Sequence, residues 1–174
     1  MSLDEIKLSI RNIPDFPKQG IQFKDITTAL KQPKVFKEII NLFYEEYKDK
    51  GINYVVGIES RGFIFGSVLA YLLGCGFAPV RKKGKLPAEI FYQEYDLEYG
   101  KDIIEIHKDA LNRGDNVLIV DDLLATGGTA LAASELIKQT GAKIIGWAFV
   151  IELVDLLGKK ELEKIAPVFS LVKY

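Results

Sequence analysis

Asp121 and Asp122 stand side by side at the end of an aliphatic run, Val117-Leu118-Ile119-Val120, and Ala125-Thr126-Gly127-Gly128-Thr129 follows closely. Adjacent carboxylates can accept hydrogen bonds from the vicinal hydroxyls of a sugar. The two glycines let backbone N–H groups approach an anion, and the hydroxyls of Thr126 and Thr129 add donors. A helix opening at this turn would aim the positive end of its dipole at the same point. This spacing suits the holding of a ribose phosphate, with the acids on the sugar and the turn on the phosphate. A site for phosphate alone would not need the acid pair.

The elements that must carry these residues can be read around them. Val117 to Val120 predict a fully buried strand of a parallel sheet, with the acids where it ends. The next helix shows Leu131, Leu136 and Ile137 on one face and takes Gly141 as its C-cap. A receiver domain also ends a strand in two acids, but near its start, with a phospho-acceptor and a lysine on later strands. Only 52 residues follow Asp122 here, and they offer no such arrangement. Upstream, residues 3–11 predict a short amphipathic helix, followed by a turn at Pro14-Asp15-Phe16-Pro17 and an irregular stretch to Asp25. A helix opens at Pro33 with Phe36, Ile39, Ile40, Phe43 and Tyr47 on its apolar face, and Gly51 ends it. Strands follow at 52–58 and 76–80, separated by a helix at 63–73 that is apolar nearly all round and is expected to be buried. Alternating runs at 90–95 and 102–106 suggest a hairpin-like excursion, and strands at 143–151 and 168–172 complete the chain. The pattern predicts one α/β domain over residues 1–174, a central mostly parallel sheet with helices on both faces. In such sheets ligands bind beyond the carboxyl ends of the strands, where the motifs fall.

Two further loops share that edge. Glu59-Ser60-Arg61-Gly62 lies between a strand and a helix, so its amides and Arg61 can hold a second anion. Arg81, Lys82, Lys83 and Lys85 form a dense positive cluster around Gly84, suited to a group with several negative charges. His107, the single histidine, falls at a strand end and is not read as catalytic. Lys and Arg number 23 against 24 Asp and Glu, which removes any global attraction to nucleic acid or an anionic membrane. The lone Cys75 excludes an intramolecular disulfide framework and reads as a small buried hydrophobe. The N-terminus has neither the basic flank nor the apolar core of a signal peptide, and no apolar run approaches bilayer length, so a cytoplasmic protein is expected.

Segments beyond the Asp-Asp motif carry a resemblance: residues 14–27 (PDFPKQGIQFKDIT), 59–66 (ESRGFIFG), 81–87 (RKKGKLP) and 97–100 (LEYG). With residues 117–130 as the phosphoribosyl-pyrophosphate (PRPP) motif, the chain resembles the adenine phosphoribosyltransferase family of type I phosphoribosyltransferases. That resemblance implies Mg²⁺-dependent transfer of a phosphoribosyl group from PRPP to adenine, giving AMP and pyrophosphate in purine salvage. It implies a hood at about 12–30, in which Phe23 stacks on the base while backbone groups around Gln22 and Lys24 read its edge. Lys24 stands where many relatives have arginine, which puts forked or stacked guanidinium contacts there in question. Ser60 and Arg61, with a cis peptide at Glu59–Ser60, would hold pyrophosphate together with Arg81, Lys82 and Lys85; Arg61 and Arg81 would stabilise it as it leaves. Asp121, Asp122 and the loop from Ala125 to Thr129 would hold the ribose phosphate of PRPP or AMP. A mobile loop at about 83–100 would close over the site, with Glu98 handling the adenine ring proton and Tyr99 shielding it. Mg²⁺ would ride mainly on PRPP and water, without a cage of protein ligands. The family also implies a homodimer. A PRPP-sensing regulator without turnover would need a DNA-binding module for which the chain has no spare residues, and an enzyme for another purine base would differ in the hood.

Overall fold

The aliphatic run at 117–120 belongs to the middle of a seven-stranded sheet, and its alternation shows why both faces are apolar. Leu118 and Val120 enter one core while Val117 and Ile119 enter the other, all four fully buried. The computed structural model describes residues 1–97 and 100–174. The chain runs α1 (Leu3–Ser9), β1 (Arg11–Pro14), β2 (Gln22–Asp25), α2 (Thr27–Leu30), α3 (Pro33–Tyr47), β3 (Tyr54–Ile58), α4 (Gly62–Leu73) and β4 (Gly76–Lys82). It continues with β5 (Ile90–Leu97), β6 (Gly100–His107), β7 (Asn116–Leu124), α5 (Gly128–Thr140), β8 (Lys143–Glu152), a 3₁₀ turn (Val154–Leu156), α6 (Gly158–Leu162) and β9 (Val168–Lys173). The sheet order is β5-β6-β4-β3-β7-β8-β9. From β4 to β9 every pairing is parallel, and β6 and β5 extend one edge antiparallel. On one face α3 and α4 pack through Ile39, Phe43, Phe65 and Leu69; on the other, α5 and α6 pack through Ala133, Leu136, Ile137 and Leu162.

Several expectations need correction. The basic segment from Arg81 does not leave the sheet at once: Arg81 and Lys82 are the last residues of β4 because β6 pairs with them, Arg81 opposite Glu105 and Lys82 opposite Ile104. The runs at 90–95 and 102–106 do pair antiparallel, as β5 and β6. Helix α4 is not buried all round. Phe65 and Leu69 face the core, whereas Ile64, Tyr71 and Leu72 share an exposed stripe. The stretch before Asp25, expected to be irregular, contains the β1–β2 ladder, with Ile13 opposite Phe23. Strands of four residues are too short to print a period in the sequence.

That ladder is pinned at one corner. Asp25 ends β2, and its carboxylate accepts from Thr27 N at 2.9 Å and Thr27 Oγ1 at 2.6 Å, while Arg11 on β1 donates to the other oxygen through Nε at 3.0 Å. Hydrogen bonds from Thr27 and then Arg11 hold the Asp25 carboxyl down at about 2. The folded value lies below the unfolded one, so the stabilisation is fully present above pH 4 and is lost as pH falls toward 2. Arg11 is 58% exposed, so screening limits the effect. Asp25→Ala should therefore cost about 1–2 kcal/mol at pH 7, and urea melts of parent and variant should converge between pH 4 and pH 2. A gap unchanged over that range would contradict the assignment.

Candidate active site

β7 outruns its neighbour. The β3–β7 ladder stops at Val120, opposite Gly57, while β8 continues to pair with β7 as far as Leu124. Asp121 and Asp122 are therefore still strand residues, not residues beyond a strand end, and they border the notch where β3 has stopped. Gly62, the first residue of α4, fills that notch: a Cβ there would lie 2.5 Å from the Val120 carbonyl oxygen and 3.1 Å from Asp121 Oδ1. The glycine of the Glu-Ser-Arg-Gly segment is thus required by backbone approach. Arg61 precedes it, and its Nε lies 2.7 Å from Asp122 Oδ2 as an ion pair without a well-aligned hydrogen bond. Asp121 Oδ1 accepts from Asp122 N at 2.8 Å. Burial, and then the charge of Asp122, push the Asp121 carboxyl well above the usual range.

The turn after β7 makes the floor of a cavity of about 340 Å³ lined by Asp121, Asp122, Ala125, Thr126, Gly127, Gly128 and Thr129, with Arg61, Tyr95, Asp96, Phe149 and Leu156. Gly127 has φ +86°, a left-handed backbone that glycine adopts freely, and α5 opens on the next residue. The loop is backed by Gly158 of α6, where a Cβ would meet the Ala125 carbonyl oxygen at 2.3 Å and the Gly127 nitrogen at 2.8 Å. A chain of backbone amides at a helix N-terminus, held against a second backbone, is built to receive an anion.

An adjoining cavity of about 520 Å³ is lined by Glu59, Ser60, Arg61, Lys82, Lys85, Tyr95, Asp102, Asp121, Asp122 and Thr129. The Glu59–Ser60 peptide is cis, as the family resemblance implies. Glu59 gathers the cations: its carboxylate accepts from Lys85 Nζ, from Lys82 N at 2.9 Å and from Arg81 Nε at 3.3 Å. Burial alone would raise the Glu59 carboxyl, but Lys85, the Lys82 amide and Arg81 outweigh it and the carboxyl is held low. Lys82 Nζ pairs with Asp102 at 2.9 Å. Arg81 is turned to Glu59 and the Lys85 carbonyl, and is not among the residues lining either cavity.

The β1–β2 ladder reaches this site through Phe23, whose ring lies 5.7 Å from the Arg61 guanidinium and packs edge-on against Phe16 at 5.2 Å. Gln22 accepts from Asn12 Nδ2 at 2.6 Å. Lys24 projects the other way, its Nζ donating to Asn12 at 2.9 Å and lying 4.0 Å from the centroid of the Tyr174 ring. Strand alternation separates it from Phe23, so its side chain is not a base-stacking group. Glu98 and Tyr99 lie outside the described residues. His107 ends β6 opposite Ile90 and lines neither cavity. The thiol of Cys75, half-buried, is pushed up by burial. Tyr95, Asp102, Phe149 and Leu156 were not found from sequence, because each belongs to the site only through pairing or packing distant in the chain. Among the described residues, no three His, Cys, Asp or Glu side chains are grouped to hold a metal ion.

The raised Asp121 carboxyl yields a signed prediction. Its folded value exceeds its unfolded one, so the ionised group opposes folding increasingly as pH rises above about 4. Without substrate, Asp121→Asn should melt at a higher temperature than the parent at pH 7–8. That gain should vanish toward pH 4; a gain independent of pH would show that the acid pair is not electrostatically opposed.

Residues 26–172 match the family described as the phosphoribosyl transferase domain. Adenine phosphoribosyltransferase 4 of Arabidopsis thaliana is 54% identical over 172 residues, 99% of this chain and 94% of its own. The adenine phosphoribosyltransferase of Acaryochloris marina is 57% identical over 158 residues, covering 91% of this chain and 93% of the relative. The crystal structure of the Thermoanaerobacter pseudethanolicus enzyme superposes with a TM-score of 0.95 at 50% identity, covering 99% of this chain and all of the other. That of the Saccharomyces cerevisiae enzyme, complexed with adenine and an imino-altritol bisphosphate, gives 0.92 at 46% identity over 98% of each chain. The similarity runs along nearly the whole sequence, and the chain belongs to the adenine phosphoribosyltransferase family.

Proposed function

We propose that this chain transfers the 5-phosphoribosyl group of PRPP to adenine, forming AMP and pyrophosphate in purine salvage. The observation that carries the reading is the pair of adjoining cavities that share Asp121, Asp122 and Arg61. One holds a ribose 5-phosphate on the acids and the turn at Ala125–Thr129. The other holds pyrophosphate on Ser60, Arg61, Lys82 and Lys85, with Arg81 recruited from Glu59. The bond to C1′ would break between them, with the adenine base, also the base named in the yeast complex, arriving from the side of Phe23.

Charge supports the involvement of Mg²⁺. The pyrophosphate cavity presents Arg61, Lys82 and Lys85 against Glu59, Asp102, Asp121 and Asp122, so its own charges nearly cancel. A polyanion entering it needs a compensating cation, and PRPP can bring one on its own oxygens. The metal would supply electrostatic stabilisation of the leaving pyrophosphate. The protein's part is to orient: Asp121 and Asp122 fix the ribose as positive charge develops on it, and the cationic side chains hold the leaving group. Glu98 is assigned the adenine ring proton and Tyr99 the shielding of the site. A cytoplasmic enzyme fits a chain whose single cysteine is free and in which, among the described residues, no helix is long and apolar enough to cross a membrane. A homodimer would cover the exposed stripe of Ile64, Tyr71 and Leu72 on α4, which begins next to Arg61; light scattering at the mass of one chain would contradict it.

Labelled adenine incubated with PRPP and Mg²⁺ should yield AMP, with hypoxanthine, guanine and xanthine turned over at least a hundredfold more slowly, on the order expected when a polar edge is left unpaired. Preference for an oxopurine would discard the base assignment. Glu98→Ala should lower kcat by about 10²–10⁴-fold with little change in PRPP affinity, the range for a general acid or base. Turnover equal to the parent's would remove Glu98 from the mechanism.

A further inference from the structure

We propose that Asp102 sets the affinity of the pyrophosphate end of the site by acting as the internal counter-ion of Lys82, from which pyrophosphate must take the ammonium. The inference rests on the pyrophosphate reading of the larger cavity, which Asp102 lines. Asp102 lies on β6, outside every segment that carried the family resemblance. Its Oδ2 accepts from Lys82 Nζ at 2.9 Å and from the Tyr95 hydroxyl at 3.3 Å, and its Oδ1 accepts from Ile103 N at 2.9 Å. A carboxylate holding three donors is fixed in place, unlike a wandering surface acid. Backbone pairing fixes the distance as well. Lys82 is opposite Ile104, and Asp102 stands two positions along the same strand, on the same face.

The exposures differ in a way that suits exchange. The Lys82 side chain is 55% exposed and Asp102 only 23%, so the acid stays while the lysine can swing. An ammonium is a compact charge with three donors on a flexible stem, able to change partners without rebuilding the site. The Lys82 bond is the first cause holding the Asp102 carboxyl low, so the competitor stays ionised at neutral pH. Pyrophosphate therefore gains Lys82 only by displacing an anion already bound to it, and it loses Lys82 to that anion on leaving. Asp102 is a positioning residue that weakens pyrophosphate binding and favours release.

The test is calorimetric titration of magnesium pyrophosphate into the parent, Asp102→Asn, Lys82→Gln and the double variant at fixed ionic strength. Asparagine keeps the shape and still accepts from Tyr95. Asp102→Asn should tighten pyrophosphate about two- to fivefold, the range of a partly exposed ion pair, and the gain should vanish in the Lys82→Gln background. KM for PRPP should fall by a similar factor while KM for adenine stays put, a split that mere structural damage would not give. Unchanged or weaker binding by Asp102→Asn overturns the proposal alone, as does a gain that persists without Lys82. A parent that binds no pyrophosphate overturns it together with the functional reading.

Discussion

The site depends on one constraint: β7 continues past the point where β3 stops, and α4 begins in the gap. Here β8 alone carries β7 onward, so two acids remain on rigid strand backbone while one side of them is open. Gly62 lets α4 close on that backbone, which brings Arg61 to Asp122. Widening that approach by a methyl group would move the helix, the cation and the acid pair together. The two adjoining cavities and the β1–β2 pair, through Phe23 beside Arg61, all meet at this junction.

The second theme is charge held in reserve. Arg61, Lys82, Lys85 and Arg81 each already have a carboxylate partner within the protein. Such pairs contribute little to stability where they are partly exposed. On the proposed function, their value would lie in placing several cations close together without mutual repulsion, ready for transfer to phosphate oxygens. The same logic explains why a cavity for a polyanion carries so many acids of its own. An enzyme that must bind pyrophosphate and later release it gains from cations that can be returned.

Much of this was legible in the sequence, for identifiable reasons. The buried run Val117–Val120, the helix from Pro33, the Gly141 cap and the turn at Thr126–Thr129 declare themselves through period, composition and glycine placement within a short window. Ser60 and Arg61 stood out because the Glu-Ser-Arg-Gly segment lies between a strand and a helix, and Asp121 and Asp122 because they follow an aliphatic run. What escaped depends on pairing across the chain. The four-residue strands β1 and β2 carry no readable alternation, and the extension of β4 through Lys82 depends on β6. Asp102, Tyr95 and Leu156 enter the site only once the sheet is assembled. The exposed stripe of α4 was missed because an apolar helix gives no internal sign of which face remains uncovered. Lys24 could be placed only by strand alternation against Phe23, which sends it to Tyr174.

The central claim is that Asp121 and Asp122 hold the vicinal hydroxyls of a ribose whose phosphate lies on the adjacent turn. Calorimetric titration of the protein with AMP and with 2′,3′-dideoxy-AMP tests it directly, because the two ligands share base and phosphate and differ only in those hydroxyls. Hydrogen bonds to charged groups contribute about 1.5–3 kcal/mol each, so AMP should bind at least about tenfold more tightly. Equal affinities would show that the acids do not touch the sugar and would contradict the account.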